Sequence, residues 1–262
     1  MPPTEGTVGA RMPALFLAHG NPMNAIATTS FTRSLSELAL ALPRPEAVLV
    51  VSAHWLTRGT NVLATAEPRT VHDFGGFPRE LYEIEYPAPG APELAERVAG
   101  LLPDSSTDMT WGLDHASWTI LRHMYPRADV PVFELSLDVG LTADEHWSLA
   151  EHLAPLRDEG VLVVGSGNIV HSFEGMSWER DARPHSWAVD FDDWVAESLE
   201  RRDRAALTGY ESLGLLAEMA VPTNDHYLPL LYAAAISPDD PVAYTHVGIE
   251  NASMSMRCVR FG

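Results

Sequence analysis

Cysteine is almost missing from this chain: Cys258 is the single one among 262 residues. One thiol excludes an intramolecular disulfide framework and any cysteine-rich zinc site, and it fits a reducing compartment, so the cytoplasm is the expected location. Positive charge is scarce as well. Against 36 Asp and Glu stand 17 Lys and Arg, a formal net charge of −19. That balance argues against a protein that tracks phosphates, which needs a basic face to displace counterions, and against docking on anionic lipid. Long apolar runs are also absent: the most apolar stretch, residues 227–236, is too short to span a bilayer, and residues 1–12 carry no apolar leader. Neither nucleic acid nor a membrane is expected as a partner. No His-Glu-x-x-His, no closely spaced Cys/His pairs, no internal repeat and no low-complexity tract is found.

What is present is an ordinary globular composition, 46% hydrophobic and 20% charged. A chain of 262 residues buries enough core to stand without a metal or disulfide staple, so clustered ligand-type residues would serve chemistry rather than stability. Apolar runs at about 14–18, 47–53, 131–137 and 161–165 have the profile of strands buried on both faces, and helical periodicity fills the intervals. The pattern predicts an α/β fold: a single domain over 13–262 with a central, mostly parallel or mixed sheet flanked by helices, preceded by a flexible segment 1–12. One helix is expected to start at Ser30 or Thr32 and stop at Pro43, a second to run from Thr142 towards Gly160, and a third to occupy 185–207. Two irregular stretches interrupt the alternation. The first, 67–93, is rich in Pro, Gly and aromatics, and a loop of that length in a compact domain usually belongs to a site or its lid; the second, 172–186, is less informative.

Of 11 histidines, several close apolar runs. "PALFLAHG" ends in His19, "EAVLVVSAHW" in His54, and "GVLVVGSGNIVH" reaches His171 a few residues past its run. In an open α/β sheet, ligands bind at the carboxyl ends of the strands. Two neutral imidazoles delivered to one such edge make half of a metal site, although either alone also reads as a buried histidine bonded to backbone. The glycines before His171 permit close backbone approach to a ligand, or form a capping turn through Ser166 or Asn168. His226 follows an N-cap pattern at Thr223 to Asp225, which places it in a first helical turn whose dipole disfavours the charged imidazole. His115, between two tryptophans in "WGLDHASW", is either a core histidine or an aromatic-walled substrate contact. His123, His146 and His152 read as exposed or half-exposed helix residues, His72 as a turn or lid residue, and His185 and His246 have no supporting context. Spacing alone therefore ends at a histidine-rich metal site in an α/β domain.

Six segments, "LFLAHGNPMNA", "SAHW", "HDFGGFP…LYEIEYPAPG", "WGLDHASW", "SGNIVH" and "DHYLPLLYA", occur in an order and spacing that resembles the 4,5-DOPA dioxygenase extradiol family, a branch of the class III (protocatechuate 4,5-dioxygenase-like) extradiol ring-cleaving enzymes. The resemblance runs from about residue 13 to the C-terminus. It implies a non-haem enzyme holding one Fe(II) per chain, or Zn(II) in its place, that opens a catecholic small molecule with O₂ to a semialdehyde, as a monomer or small homo-oligomer. By motif, His19, His54 and His226 look like the metal ligands. His171 looks like a general base over the metal, sometimes counted as a further ligand, and His115 like a substrate-binding catalytic histidine. The wider superfamily uses two histidines and a carboxylate; here the matching third position is His226, with Glu250 and Asp225 as alternative carboxylates. Arg58, Arg69 and Arg79 would offset the negative charge around the loop, and Phe74, Phe77, Tyr82 and Tyr86 would stack on a ring or pack the loop down. Two other readings accommodate the same residues: a zinc-dependent hydrolase of an amide or ester, and a non-catalytic binding protein on the same fold.

Overall fold

The structure, a computed structural model, describes residues 11–262. Residues 1–10 of the expected flexible segment lie outside the described residues. Met12 is buried, with its N–H on the Arg157 carbonyl at 2.9 Å and its own carbonyl accepting from Arg157 Nε at 2.7 Å.

The apolar runs form the strands they promise. In chain order the strands are β1 (Ala14–Ala18), β2 (Ala47–Thr57), β3 (Thr60–Leu63), β4 (Ser105–Asp108), β5 (Val132–Asp138), β6 (Val161–Gly167), β7 (Val242–His246), β8 (Ile249–Glu250), β9 (Met254–Ser255) and β10 (Cys258–Phe261). Eight of them make one sheet in the order β4-β3-β5-β2-β6-β1-β10-β7, and β8 and β9 pair as a separate ribbon. The centre, β5-β2-β6-β1, is parallel; β3 runs antiparallel to β5 on one flank, and β10 and β7 add antiparallel pairing on the other. The sheet is therefore mixed around a parallel core, as the alternation of strand and helix patterns requires.

The helices are α1 (Ser30–Ala41), α2 (Arg79–Tyr82), α3 (Pro92–Leu101), α4 (His115–Met124), α5 (Ala143–Glu151), α6 (Ser186–Glu200), α7 (Arg204–Thr208), α8 (Leu215–Ala220) and α9 (Leu228–Ala235). They cover both faces of the sheet, which is why its central strands alternate between two cores. Phe16, Leu49, Val51 and Val163 point into the layer that holds α9, whereas Leu15, Leu17, Val50 and Val164 point into the layer that holds α4. Thr29 rather than Ser30 caps α1: its hydroxyl accepts from the Thr32 N–H, and Thr32 returns the bond as the other half of a capping box. Thr142 caps α5 with Glu145 in the same reciprocal way. No described helix is long and apolar enough to cross a membrane.

Two features at the carboxyl edge of the parallel strands prepare the site. Strand β2 stays in register with β5 up to Val51 and resumes at Leu56, so "SAHW" sits in a bulge that re-aims its side chains. The glycines of β6 make room for another chain segment rather than for a ligand. A Cβ on Gly167 would lie 2.1 Å from the His226 carbonyl oxygen, and one on Gly165 would lie 2.1 Å from the Pro229 carbonyl oxygen. Only glycine lets the 226–229 chain rest directly on the sheet, where the Asn168 N–H donates to the His226 carbonyl at 2.9 Å.

Candidate metal centre

Five histidines from five separate segments meet at this edge. His19 follows β1, His54 lies in the β2 bulge, His115 is the first residue of α4, His171 lies four residues after β6, and His226 lies two residues before α9. The helix begins two residues after His226, at Leu228, so the imidazole sits in the turn before it and not in the first helical turn expected from the sequence. Nor does a helix follow the "GSGN" turn: Ser166 and Asn168 serve the site instead of a cap. Ser166 Oγ lies 3.1 Å from His19 Nδ1 and donates to the Ala116 carbonyl at 2.6 Å. Asn168 accepts from the Gly20 N–H and donates to the Ser255 carbonyl.

Four of the five imidazoles, all but His171, are held through Nδ1. His54 Nδ1 is 3.1 Å from Asp73 Oδ2, and His115 Nδ1 is 2.9 Å from the same oxygen, while Asp73 Oδ1 accepts the His115 backbone N–H at 3.0 Å. His226 Nδ1 is 2.5 Å from Asp225 Oδ2. A hydrogen bond on Nδ1 fixes ring orientation and tautomer and leaves Nε2 as the donor for a metal. His19 Nε2 and His54 Nε2 stand 3.2 Å apart. For metal–imidazole bonds of about 2.1 Å, two nitrogens on one ion are about 3.0–3.4 Å apart and their ring centroids about 4.6–5.3 Å apart. The centroids of His19, His54 and His226 form a nearly equilateral triangle of 5.0, 5.1 and 4.9 Å. The ring spacing of this trio thus suits a divalent ion, while the ligand atoms that all lie within 4.8 Å of one another are those of His19, His54 and His115.

His115 stands close to the same point. Its donor atom lies within 4.8 Å of those of His19 and His54. Its ring is only 4.0 Å from that of His54, however, tighter than two ligands of one ion require. His171 lies flat on His226, centroids 3.5 Å apart.

Electrostatics follow from burial and from the carboxylates of Asp73, Asp114 and Asp225. Burial, reinforced by the other imidazoles, holds the His19 pKa well below its ordinary value. Burial also lowers His115, His226 (to about 4) and His171 (to about 2), so all four are neutral donors near pH 7. His54 goes the other way: burial pulls it down, but its hydrogen bond to the Asp73 carboxylate and the charges of Asp114, Asp73 and Asp225 outweigh that and raise it. Asp73 and Asp225 are themselves resistant to burial and stay far below the usual carboxylate range because the histidines bond them.

The histidines floor a cavity of about 610 Å³. Phe74 and Phe77 come from the 67–93 loop, as its length suggested; Phe173, Met176 and Trp178 come from 172–186, which the sequence left almost unread. Tyr86 packs instead, with its hydroxyl on the Tyr125 carbonyl at 3.0 Å. None of the three arginines expected to offset charge lines this cavity: Arg58 is exposed, Arg69 donates to the Trp111 carbonyl, and Arg79 pairs with Glu83 in solvent. Glu250 pairs with Arg180 at 3.8 Å and is not a cavity residue.

Asp73 and Asp225 had gone unrecognised as orienting groups. Asp73 is adjacent to His72 in "HDFGGFP", yet no local pattern announces which distant ring a loop carboxylate will bond. His72, His123 and His146 make hydrogen bonds outside this cluster. His146 is fully buried, contrary to expectation, because Tyr232 Oη at 2.9 Å and the Asp138 carbonyl at 3.2 Å satisfy its ring. His72 bonds the Ile84 carbonyl and His123 the Asn24 carbonyl.

Several proteins similar to this chain are named as ring-opening enzymes. The family described as "Catalytic LigB subunit of aromatic ring-opening dioxygenase" matches residues 11–262. A protein of Escherichia coli (strain K12) named 4,5-DOPA dioxygenase extradiol is 45% identical over 261 residues, covering 96% of this chain and 95% of its own. One of the same name from Beta vulgaris is 38% identical over 237 residues, 87% of this chain and 88% of that one. A crystal structure of an uncharacterized protein from Escherichia coli K12 superposes with a TM-score of 0.83 at 41% identity, over 96% of this chain and all of that one. With a match across the whole described chain and close relatives at full length, the protein belongs to the LigB family of aromatic ring-opening dioxygenases.

Proposed function

We propose that this protein opens the ring of a catecholic substrate with O₂ to give a semialdehyde, with one Fe(II) held by His19, His54 and His226. The observation that carries this reading is the triangle of those imidazoles, each with Nδ1 bonded to a neighbour, Ser166, Asp73 or Asp225. Bound there, the ion would acidify a catechol hydroxyl and bring diphenol and O₂ together in reacting order.

The residues of the chain do the rest. His171, neutral and parted from His226 by a ring thickness, is placed to accept the second hydroxyl proton at a free ring nitrogen. Burial and the neighbouring His226 leave it a weak base, and a catecholate anion beside it would raise its proton affinity. His115, fixed by donating its backbone N–H and its Nδ1–H to Asp73, presents Nε2 to the substrate oxygens as a hydrogen-bonding partner. Phe74 and Phe77 supply an apolar wall that displaces water from the ring.

The test is to load apoprotein anaerobically with Fe(II), admit a panel of catechols and O₂, and follow oxygen uptake with the rise of a yellow product. Uptake with product is the expected result. Absence of oxygen consumption with every catechol, together with ester or amide hydrolysis by the Zn(II) form, would replace this reading with the hydrolase.

A further inference from the structure

The ring of His19 meets Ser166, and its backbone is held at three further points. Its N–H donates to the Gly167 carbonyl at 3.2 Å. The peptide group that joins it to Gly20 is gripped at both ends: the His19 carbonyl accepts from Asn24 Nδ2 at 3.1 Å, and the Gly20 N–H donates to Asn168 Oδ1 at 3.2 Å. Asn24, Asn168 and Gly20 are all buried. The turn leaves no slack, since Gly20 has φ +60° and a Cβ there would lie 2.8 Å from Met256 Sδ and 2.9 Å from Asn24 Nδ2.

Asn168 reaches further. Its Nδ2 donates to the Ser255 carbonyl at 2.7 Å, and its backbone N–H donates to the His226 carbonyl at 2.9 Å. Ser255 belongs to β9, whose Met254 also bridges to His171. One buried residue therefore ties the turn after His19 to the backbone of His226 and to the strand beside His171. A primary amide suits the place, because the Gly20 N–H needs an acceptor and the Ser255 carbonyl a donor. Without it two buried backbone groups lose their partners, and rotation of the His19–Gly20 peptide towards new ones shifts the Cα that carries the imidazole. Neither asparagine lines the cavity, so each acts on the chemistry only through the histidines.

Resting on the assignment of His19 and His226 as metal ligands above, we infer that Asn24 and Asn168 are positioning residues of the metal centre. Together they clamp the peptide after His19, and Asn168, by holding His226 as well, fixes the separation of the two imidazoles, 5.1 Å between ring centroids.

The test compares Asn168→Ala and Asn24→Ala with wild type and with Thr142→Ala, which weakens the protein by removing the α5 cap. Zn(II) dissociation constants are measured by chelator competition. The visible bands of the Co(II)-loaded proteins, which follow ligand geometry, are recorded beside circular dichroism and Tm. The expected result is that Asn168→Ala binds Zn(II) about tenfold or more weakly and Asn24→Ala severalfold more weakly, both with shifted Co(II) bands, whereas Thr142→Ala keeps wild-type affinity and bands despite a lower Tm. Wild-type affinity and bands in a folded Asn168→Ala, or the same changes in Thr142→Ala, overturn the inference. Should Asn168→Ala not fold, Asn24→Ala decides by the same criterion, and failure of both to fold overturns the inference by making them residues of the fold alone. A wild-type protein that binds neither ion overturns the metal-centre reading and this inference with it; one that binds an ion no more tightly than Asn168→Ala overturns the inference alone.

Discussion

His171 and His226 lie face to face, with centroids 3.5 Å apart and planes 2° from parallel. Parallel imidazoles at that spacing cannot both be protonated without strong repulsion, and after burial the nearby His226 is the main influence lowering the proton affinity of His171. The two rings nonetheless differ in task. His226 is tied through Nδ1 to Asp225 and offers one nitrogen, whereas His171 is oriented chiefly by its neighbours, its backbone N–H on the Ala220 carbonyl at 3.0 Å. Replacing His171 with Ala is expected to leave metal content near one ion per chain and to lower kcat by about 10²–10⁴-fold, the usual range for a lost acid–base group. Metal analysis beside oxygen uptake reads both; loss of the metal with the ring would make His171 a ligand.

His115 and His226 compete for the place of third ligand, and two variants separate them. His226→Ala should bind Fe(II) far more weakly while its circular dichroism stays native. His115→Ala should keep the metal and weaken catechol binding instead. The reverse pattern in plasma-emission analysis would transfer the ligand role to His115.

Asp73 holds His54 and His115 with one carboxylate. An Asp73→Asn change keeps the shape but can no longer accept from both rings, so metal affinity should fall about 10–100-fold, as is typical when the partner of a metal-bound histidine is removed. Competition with a calibrated chelator measures this. An unchanged affinity would mean that Asp73 only packs the loop.

Glu134 is fully buried between Trp111 Nε1 at 3.1 Å, the Asp114 N–H at 2.9 Å and Ser117 Oγ at 2.5 Å, with Asp114 beside it. Burial, and then the charge of Asp114, raise its pKa well above the ordinary value. A folded-state pKa above the unfolded one means that the native protein binds the extra proton. Its contribution to stability is therefore complete below the ordinary glutamate pKa and is lost as pH rises towards the folded value. Glu134→Gln, which mimics the protonated form, should match wild type in acid and gain on it as pH rises; Glu134→Ala should be less stable by about 1–3 kcal/mol throughout, since it orphans three donors. Urea melts across pH 4.5–8 test this, and parallel curves for wild type and Gln would refute it.

The parallel centre of the sheet and the helices that cover it were readable because long β-branched runs and capped amphipathic segments leave few alternatives. Strands β3, β4, β7 and β10 lack a signal in the sequence: they are four or five residues long, lie towards the flanks and carry no continuous apolar run. The order of the sheet likewise depends on pairing between strands over 100 residues apart, such as β1 with β6. Within the site, the five histidines were legible from the ends of strands and from linked motifs. The carboxylates that aim them, and the mouth residues Phe173 and Trp178, depend on contacts that no local pattern encodes. The arginine expectation failed for a related reason: Arg69 and Arg79 are near the site in sequence, but their side chains leave the cavity for a carbonyl and for solvent.

Anomalous diffraction from crystals soaked anaerobically with Fe(II) tests the central claim most directly. One peak is expected, bonded at about 2.1 Å to Nε2 of His19, His54 and His226, with His115 and His171 facing the open side of the ion and making no bond to it. A peak that omits any one of the first three imidazoles, or no peak at this edge of the sheet, would contradict the account.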